Sequence, residues 1–501
     1  MSDVLHELTI GAPANLLWVG IGTMLGILVG AIPGLTGAML IALSLPLTYS
    51  MNPSEAMVLL VSMYVGSISG GLITATLLRM PGTPASVITT LDGYPMAQSG
   101  KPGRALGLGI MASFVGGLIS WGFLILLAEP ISHVSTKLGD FDYFALVLVA
   151  LVLIASVSGK ALSAGVFSGF LGILVTIPGE SPATGETRWT LGLEQLNNGF
   201  DLLPVLIGLF AVSQVIHEVA SSEKKVEKVS QVAPEGVLLG AGDWFRHMAN
   251  MLRSSVIGTW VGILPGIGAN VGSVMAYSAS KSLSKTPEAF GSGSEEGIVA
   301  SEAANNATIG GALIPLVAMG IPGSVIDAIL LGALVLHGLQ PGVLLFHNNP
   351  DIVYTIIFTM LIANVAMFGM MLWSAKWIAK LATVPRVYLL PVVIVFCVVG
   401  SYALNNRMFD VWVMMAFGIV GFLMERGRIP LAPFVIGFVL APIAEEKLGA
   451  GLQATGGSYL PLVTRPVALF FMTVSIVLVL WPILKSLRQR RTTQEEPQIN
   501  E

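Results

Sequence analysis

The stretch Gly30-Ala31-Ile32-Pro33-Gly34-Leu35 returns later in the chain as Gly262-Ile263-Leu264-Pro265-Gly266-Ile267. Three further motifs return in the same order: Gly70-Gly71 with Pro81-Gly82-Thr83 as Gly310-Gly311 with Pro322-Gly323-Ser324, Pro102-Gly103 as Pro341-Gly342, and the 204–208 motif as 433–437. The paired motifs lie between 229 and 241 positions apart. One match means little in a chain with 57 Gly and 28 Pro, but four matches in register predict an internal duplication.

The amino-acid composition is that of a membrane protein. Of the 501 residues, 54% are hydrophobic and 11% are charged, whereas a soluble domain has about 25% charged residues. The net charge of −4 gives no reason to expect a nucleic-acid partner. The single cysteine, Cys397, cannot form an internal disulfide and is interpreted as a small buried hydrophobic residue. The first eight residues hold two acids and no Lys or Arg, so no cleavable signal peptide is expected.

Stretches without Asp, Glu, Lys or Arg supply the candidate membrane segments, since a helix needs about 20 mainly apolar residues to cross a bilayer. These stretches are 9–54, 56–78, 105–128, 143–159, 161–179, 202–217, 254–280, 303–326, 328–350, 352–375, 387–406, 411–424, 429–444 and 466–484. They predict an all-α polytopic integral membrane protein with about 11 to 14 membrane segments.

Lys and Arg positions predict the orientation, because cytoplasmic loops carry an excess of these residues. The first basic residue is Arg79, so the amino terminus is predicted to be periplasmic. The loop 180–201 has four acids against one Arg and is predicted to be periplasmic as well. The linker 221–253 has five basic residues and the end of the chain after Leu484 has four, so both are predicted to be cytoplasmic.

This charge pattern predicts two repeats of inverted topology. We expect a first transmembrane repeat over 1–220, a basic cytoplasmic linker over 221–253 and a second repeat over 254–445. Residues 446–501 then form an extra C-terminal transmembrane helix and a cytoplasmic tail. The two repeats are expected to superpose by a rotation about an axis in the membrane plane.

Pro-Gly pairs inside the apolar segments interrupt the helical hydrogen bonds, and lipid cannot satisfy the freed groups. Breaks at corresponding places in two halves are the best sequence indication of a transport site. We therefore predict discontinuous, re-entrant helices that meet near the midplane. Ordinary helix kinks and close helix packing are the alternative interpretation, because Gly and Pro are common in membrane helices.

Small polar residues are concentrated around these breaks. Helix N-termini suit a carboxylate, whereas hydroxyl, amide and carbonyl oxygens suit a hard cation. The candidate residues for substrate and ion binding are Pro33, Gly34, Thr36, Ser69, Gly70, Gly82, Thr83, Ser86, Gly266, Asn270, Asn305, Asn306, Thr308, Gly323 and Ser324.

The strongest polar signal is the stretch 301–308, where two adjacent amides enter an uncharged segment. The hypothesis is that a transported sodium ion binds near Asn305 and Asn306. Hydrogen bonding between neighbouring helices is the alternative.

Three charged residues near the breaks have two interpretations each. Arg79 could meet a substrate carboxylate or anchor the chain at the interface. Asp92 and Asp327 follow their break glycines by ten and four residues, and either could bind a cation or a proton or make a structural hydrogen bond. The chain lacks the HExxH, Walker A and GxSxG motifs, and its six His have no metal-ligand spacing. The sequence therefore predicts no enzyme activity, no cofactor and no resident metal.

These motifs resemble the large membrane subunit of the tripartite tricarboxylate transporter family, the TctA type. The resemblance covers nearly the whole chain and rests on the stretches 30–37, 70–73, 81–86, 92–97, 262–268, 301–307 and 320–324. It implies a small membrane subunit (TctB-like) and a periplasmic substrate-binding protein (TctC-like) as partners, in a bacterial inner membrane. It also implies import of di- or tricarboxylates such as citrate, driven by a sodium or proton gradient.

Two other functions compete with a transporter. A passive channel for small organic anions needs a continuous polar stripe along several helices, whereas paired Pro-Gly breaks favour gated binding at one level. An intramembrane enzyme needs a nucleophile with a base, or a metal set, inside a span, and the sequence offers neither. The choice of carboxylate, and of sodium or proton, is left open by the sequence.

Overall fold

The computed structural model describes residues 13–32, 35–157, 162–220, 236–265, 268–381 and 389–495, and this part of the chain is almost entirely helical. The α-helices are α1 (Pro13–Gly30), α2 (Gly37–Thr48), α3 (Pro53–Leu78), α4 (Thr89–Gln98), α5 (Pro102–Ser135), α6 (Asp140–Val157), α7 (Leu162–Val175), α8 (Leu202–Ile207), α9 (Ser213–Ala220), α10 (Ala241–Ile263), α11 (Gly268–Leu283), α12 (Glu295–Met319), α13 (Val325–Leu336), α14 (Val343–Asn348), α15 (Pro350–Leu381), α16 (Leu389–Asn405), α17 (Met408–Arg426), α18 (Leu431–Ala454), α19 (Pro461–Thr464) and α20 (Pro466–Glu495).

Shorter elements join some of these helices. A π-helical turn, Gly208–Val212, connects α8 to α9, and 3-10 turns form at Pro84–Val87, Glu194–Leu196 and Pro287–Ala289. Within the described residues, the only strands are β1 (Gly179–Glu180) and β2 (Thr187–Arg188), which pair antiparallel. An all-helical protein is therefore confirmed.

Several helices have the length and composition of membrane spans. Among the described residues, five helices are long and apolar enough to cross a bilayer: Pro53–Leu78, Pro102–Ser135, Leu202–Ala220, Pro350–Ala375 and Met408–Arg426. Six shorter apolar helices occur in the described residues, at Ala14–Gly30, Gly37–Thr48, Ser163–Val175, Val325–Leu336, Val393–Ala403 and Pro466–Leu480. The chain is thus a polytopic membrane protein, and the total of 11 to 14 segments stays a prediction.

The helices form two compact groups that do not follow chain order. The first group comprises Met1–Thr136 and Asp201–Met424, and the second comprises Lys137–Phe200 and Glu425–Glu501. Both sets of predicted breaks belong to the first group. The predicted repeat boundaries, at residues 220, 254 and 445, stay predictions.

Polar side chains hold the second group together. Ser181 Oγ and Arg188 Nη2 each donate a hydrogen bond of 2.6 Å to the Glu445 carboxylate, which attaches the β1–β2 loop to α18. Arg465, just before α20, pairs with the buried Asp142 at 2.6 Å. Removing one partner of such a pair leaves a buried charge uncompensated, so these contacts fix the loop ends relative to the helices.

In the first group, glycines at matching positions bring two pairs of helices into close contact. A Cβ on Gly30 of α1 would collide with the Ser67 carbonyl of α3, and a Cβ on Gly262 of α10 would collide with the Thr308 carbonyl of α12. The contacts one turn earlier are Gly26 against Met63 and Gly258 against Ala304. Because Ser67 and Thr308 lie 241 positions apart, as do Met63 and Ala304, α1–α3 and α10–α12 pack in the same register.

The ends of α3 and α12 also match. Each helix stops at a residue in the left-handed conformation, Arg79 with φ 54° and Gly320 with φ 71°. A Pro-Gly pair follows, and then a hydroxyl residue whose side chain accepts from the third residue of the next turn. This local correspondence agrees with the predicted duplication. The inverted relation of the two halves stays a prediction.

Candidate functional site

The two long helices α3 and α12 meet at a buried polar contact. Ser69 Oγ donates a hydrogen bond of 2.6 Å to Asn306 Oδ1, and Asn306 Nδ2 donates to the Glu302 carbonyl at 3.2 Å. Thr308 Oγ1 donates to the carbonyl of Asn305 at 2.6 Å. Ser69, Asn305 and Asn306 are at most 1% exposed. The structure thus brings together predicted site residues from both halves of the sequence.

The first Pro-Gly turn packs against its own half. A Cβ on Gly82 would come within 2.9 Å of the Gly71 Cα and of Thr74 Oγ1. Thr83 then caps the 3-10 turn reciprocally: its Oγ1 accepts from Ser86 N, and Ser86 Oγ accepts from Thr83 N at 3.1 Å. The side chains of Thr83 and Ser86 thus both bond within the turn, so the capping box is closed.

The second Pro-Gly turn is built alike but ends differently. A Cβ on Gly323 would come within 2.8 Å of the Gly262 carbonyl oxygen and of the Ala312 Cβ. Ser324 caps α13 by accepting from Asp327 N at 3.3 Å, and its Oγ lies 3.4 Å from Tyr64 Oη of α3. Asp327 therefore occupies the position in this turn that Ser86 occupies in the first turn. The second turn also contacts the first half of the sequence through Tyr64.

Asp327 is fully buried, with an exposure of 0%. Neither of its carboxylate oxygens completes a hydrogen bond of ordinary geometry with a described residue, but the hydroxyl groups of Ser324 and Tyr64 interact with it electrostatically. Transfer of an unpaired carboxylate out of water costs many kcal/mol. A carboxyl group buried in a membrane protein is therefore either protonated or neutralised by a bound cation. Asp327 is therefore a functional candidate.

Asp92 has the opposite surroundings. Its Oδ1 accepts from the backbone N–H groups of Gly291, Gly293 and Ser294 at 2.8 to 2.9 Å, and its Oδ2 accepts from Tyr277 Oη at 2.8 Å. The three backbone hydrogen bonds fasten the loop before α12 to α4, and the bond from Tyr277 attaches α11 to α4. Of the two interpretations of Asp92, the structural hydrogen bond is the one that the geometry supports.

Glu302 is a second buried carboxylate, and hydroxyl groups surround it. Thr89 Oγ1 donates to its Oε1, and Ser113 Oγ donates to its Oε2 at 3.2 Å. Ser301 Oγ lies 3.1 Å from Thr89 Oγ1, and Glu302 is 0% exposed. This group joins α4, α5 and α12, because each helix supplies at least one of its oxygens.

The other predicted residues lie elsewhere or outside the described part of the chain. Thr36 caps α2 by accepting from Met39 N at 3.1 Å, and Asn270 is exposed near the start of α11. Gly70 is a packing residue, since a Cβ there would meet the Ile27 carbonyl of α1. Pro33, Gly34 and Gly266 lie outside the described residues.

Arg79 is exposed at the end of α3, and its guanidinium lies 5.7 Å from the ring centroid of Tyr94. Such a cation–π contact accounts for its position without a substrate. No cluster of three or more His, Cys, Asp or Glu that could hold a metal ion occurs in the part of the chain that the structure describes.

Sequence reasoning missed four residues of this polar region: Glu302, Thr89, Ser113 and Tyr64. Glu302 stood within the polar stretch 301–308 but was not selected, although an acid inside an uncharged segment is itself a functional signal. Thr89, Ser113 and Tyr64 gave no signal, because single hydroxyl residues in apolar helices are common.

Long apolar helices, interrupted at matched Pro-Gly turns and joined by buried polar contacts, define a polytopic membrane protein with a polar site inside its helical bundle. The family model for the tripartite tricarboxylate transporter TctA family matches residues 16–436. The chain belongs to this family, and it is therefore a transport protein and not an enzyme.

Two relatives come from Agrobacterium vitis. An uncharacterized 52.8 kDa protein of the TAR-I ttuC′ 3′ region is 33% identical over 496 residues, which cover 98% of each chain. An uncharacterized protein of the TAR-II ttuC′ 3′ region is 35% identical over 234 residues, 47% of this chain and 97% of the relative. No solved structure matches the chain.

Proposed function

We propose that this chain is the large transmembrane subunit of a binding-protein-dependent secondary transporter that imports di- or tricarboxylates, such as citrate-like anions, in symport with a cation. The observation that carries the proposal is the buried polar contact between the two halves of the sequence. Ser69 meets Asn306, and Tyr64 meets Ser324 at the start of α13. Burying polar groups inside an apolar bundle is costly, and polar groups found there usually have a function.

The second Pro-Gly turn has the features of a carboxylate site. Ser324 precedes the free N–H groups of the first turn of α13, and a helix N-terminus carries partial positive charge. Asp327 in the same turn opposes an anion unless its own charge is neutralised. A symported sodium ion or proton at Asp327 removes this repulsion, which couples binding of the anion to binding of the cation.

In this proposal, the glycines of the two Pro-Gly turns, Gly82 and Gly323, allow close packing of the helices as well as close approach of a ligand. A Cβ added at either Gly82 or Gly323 would lie less than 3 Å from atoms of the neighbouring helices. A side chain there displaces the turn and thereby changes the backbone groups offered to a substrate.

Family membership supports the remaining parts of the proposal. The subunit works in the bacterial inner membrane with a small TctB-like membrane subunit and a TctC-like periplasmic binding protein that delivers the substrate. The amino terminus is periplasmic, and the coupling ion moves down its gradient into the cytoplasm. Specificity for one carboxylate resides partly in the binding protein.

The test is uptake of radiolabelled citrate and related carboxylates into proteoliposomes that contain both membrane subunits, with the cognate binding protein added outside. We expect saturable accumulation that depends on an imposed sodium or proton gradient. Asn306→Ala, which loses the contact with Ser69, should abolish this uptake while assembly stays normal, and Gly323→Val should do the same. Gly369→Val is the control for a glycine, since no atom lies within 4 Å of an added Cβ there. Uptake that neither saturates nor responds to a gradient identifies a passive channel instead.

A further inference from the structure

The surroundings of Glu302 consist of oxygen atoms from several helices. Its carboxylate accepts from Thr89 of α4 and from Ser113 of α5, and Ser301 Oγ adjoins the Thr89 hydroxyl at 3.1 Å. All four side chains are at most 1% exposed. Hard cations such as sodium and calcium select this kind of ligand set, made of carboxylate and neutral oxygens.

Asn305 adds an independent observation. Its side chain is 0% exposed, and it follows Glu302 by one helical turn, where it interacts electrostatically with the carboxylate. Within the described residues, neither Oδ1 nor Nδ2 of this amide completes a hydrogen bond. Because a carboxylate attracts the amide Nδ2, the buried Oδ1 of Asn305 is the atom left without a donor, and it is available as a ligand for a cation.

The hydroxyl groups around Glu302 stabilise the ionised form of its carboxylate. Both oxygens of Glu302 accept from hydroxyl groups, which favours the ionised carboxylate. Among the described residues, no Lys, Arg or His acts on the Glu302 carboxylate. No cationic side chain among the described residues therefore balances this carboxylate when it is ionised.

Charge and spacing select a small monovalent ion. One carboxylate among neutral oxygens carries a single negative charge, which one monovalent cation balances. A small cation about 2.4 Å from each ligand needs neighbouring oxygens about 3.4 Å apart. The hydroxyl–carboxylate and hydroxyl–hydroxyl distances, 3.2 Å from Ser113 Oγ to Glu302 Oε2 and 3.1 Å from Thr89 Oγ1 to Ser301 Oγ, are already this short. Larger ions such as potassium need a wider cluster.

We propose that Glu302, Asn305, Thr89, Ser113 and Ser301 form a sodium-binding site in the bundle. This inference deepens the proposed function, on which it rests, by assigning one coupling ion and its ligands. Because Asn306 Nδ2 donates to the Glu302 carbonyl and Asn306 Oδ1 accepts from Ser69, an ion at Glu302 orders the helix that carries the contact between the halves. Sodium binding thereby prepares the carboxylate site.

The experiment measures sodium-dependent thermal stabilisation of the purified subunit in detergent, without substrate or gradient. The unfolding midpoint is followed in sodium, lithium, potassium and choline chloride at equal ionic strength. Wild type should be stabilised by sodium and little by potassium or choline. Glu302→Gln should weaken the apparent sodium affinity at least about 30-fold, because it removes the charge that the ion meets.

Two further variants complete the test. Glu296→Gln is the matched control, since Glu296 is only partly buried on the same helix, and it should keep the full sodium response. Thr89→Val retains the carboxylate and loses one ligand, so it should give an intermediate sodium response. This variant replaces Glu302→Gln in the test if Glu302→Gln fails to fold. A wild type with no sodium-specific shift, or a Glu302→Gln protein with an unchanged shift, overturns the site.

Failure of this inference and failure of the proposed function give different results. Gradient-driven carboxylate uptake without any sodium response removes the sodium site and leaves the symporter. Sodium stabilisation without saturable carboxylate uptake leaves the site and removes the symporter.

Discussion

Asp92 and Asp327 both follow a Pro-Gly break and are both fully buried, yet their carboxylates differ completely in what surrounds them. Asp92 accepts four hydrogen bonds, three of them from backbone N–H groups. The carboxylate oxygens of Asp327 complete no hydrogen bond of ordinary geometry with a described residue, and only the hydroxyl groups of Ser324 and Tyr64 and the backbone N–H groups of its own turn act on them. The contrast shows that burial of an acid does not define its role. The role depends on the hydrogen-bond donors around the carboxylate, because they determine whether its ionised form is stable without a ligand.

The largest effect on stability is expected for Asp92→Ala. This change leaves the N–H groups of Gly291, Gly293 and Ser294 without an acceptor, and the loss of several such bonds should cost about 3–5 kcal/mol. The measurement is the unfolding midpoint in detergent. Asp92→Asn is the control, since its Oδ1 can still accept from all three groups. If Asp92→Ala melts like wild type, the loop is held in another way.

A smaller effect is expected at the two matched caps. Thr83→Ala and Ser324→Ala each remove an N-cap acceptor and should each cost about 1 kcal/mol. Both variants should therefore melt at similar temperatures. Uptake should separate them, because Ser324 also contacts Tyr64 across the halves. Equal uptake by both variants would remove Ser324 from the site.

The smallest effect on stability is expected for Asp327→Ala. The variant loses no hydrogen bond of ordinary geometry between the carboxylate and a described residue. Removing a buried carboxylate also removes its desolvation cost, which offsets the cost of the small cavity that the substitution leaves. Its unfolding free energy should change by less than about 1 kcal/mol. A large loss of stability would show that Asp327 has a structural partner, as Asp92 has.

The sequence was sufficient to predict the fold class and the family, and it singled out Ser69 and Asn306, the two residues of the buried polar contact. Regular uncharged stretches predict helical spans, and the family match confirms the resemblance read from the Pro-Gly motifs. The choice of Asn306 rested on the cost of an amide in an apolar segment, and the structure gives it Ser69 as a partner.

The different roles of the buried acids could not be predicted from the sequence. The donors to Asp92 lie about 200 residues further along the chain, in a loop whose N–H groups have no sequence signature. The hydroxyls around Glu302 come from Thr89 and Ser113, which are ordinary residues in apolar surroundings. Such partners are defined only once the helices pack, since side chains on different helices meet without any fixed spacing.

The most direct test of the central claim, that the second Pro-Gly turn holds a coupling group, compares uptake by Asp327→Asn and Asp92→Asn. Both variants replace a buried carboxylate by an amide of nearly equal size. Gradient-driven accumulation of the carboxylate is measured in proteoliposomes and normalised to folded protein. The account predicts that Asp327→Asn is folded and accumulates nothing above background, whereas Asp92→Asn accumulates substrate. Accumulation by Asp327→Asn at the wild-type rate would contradict it.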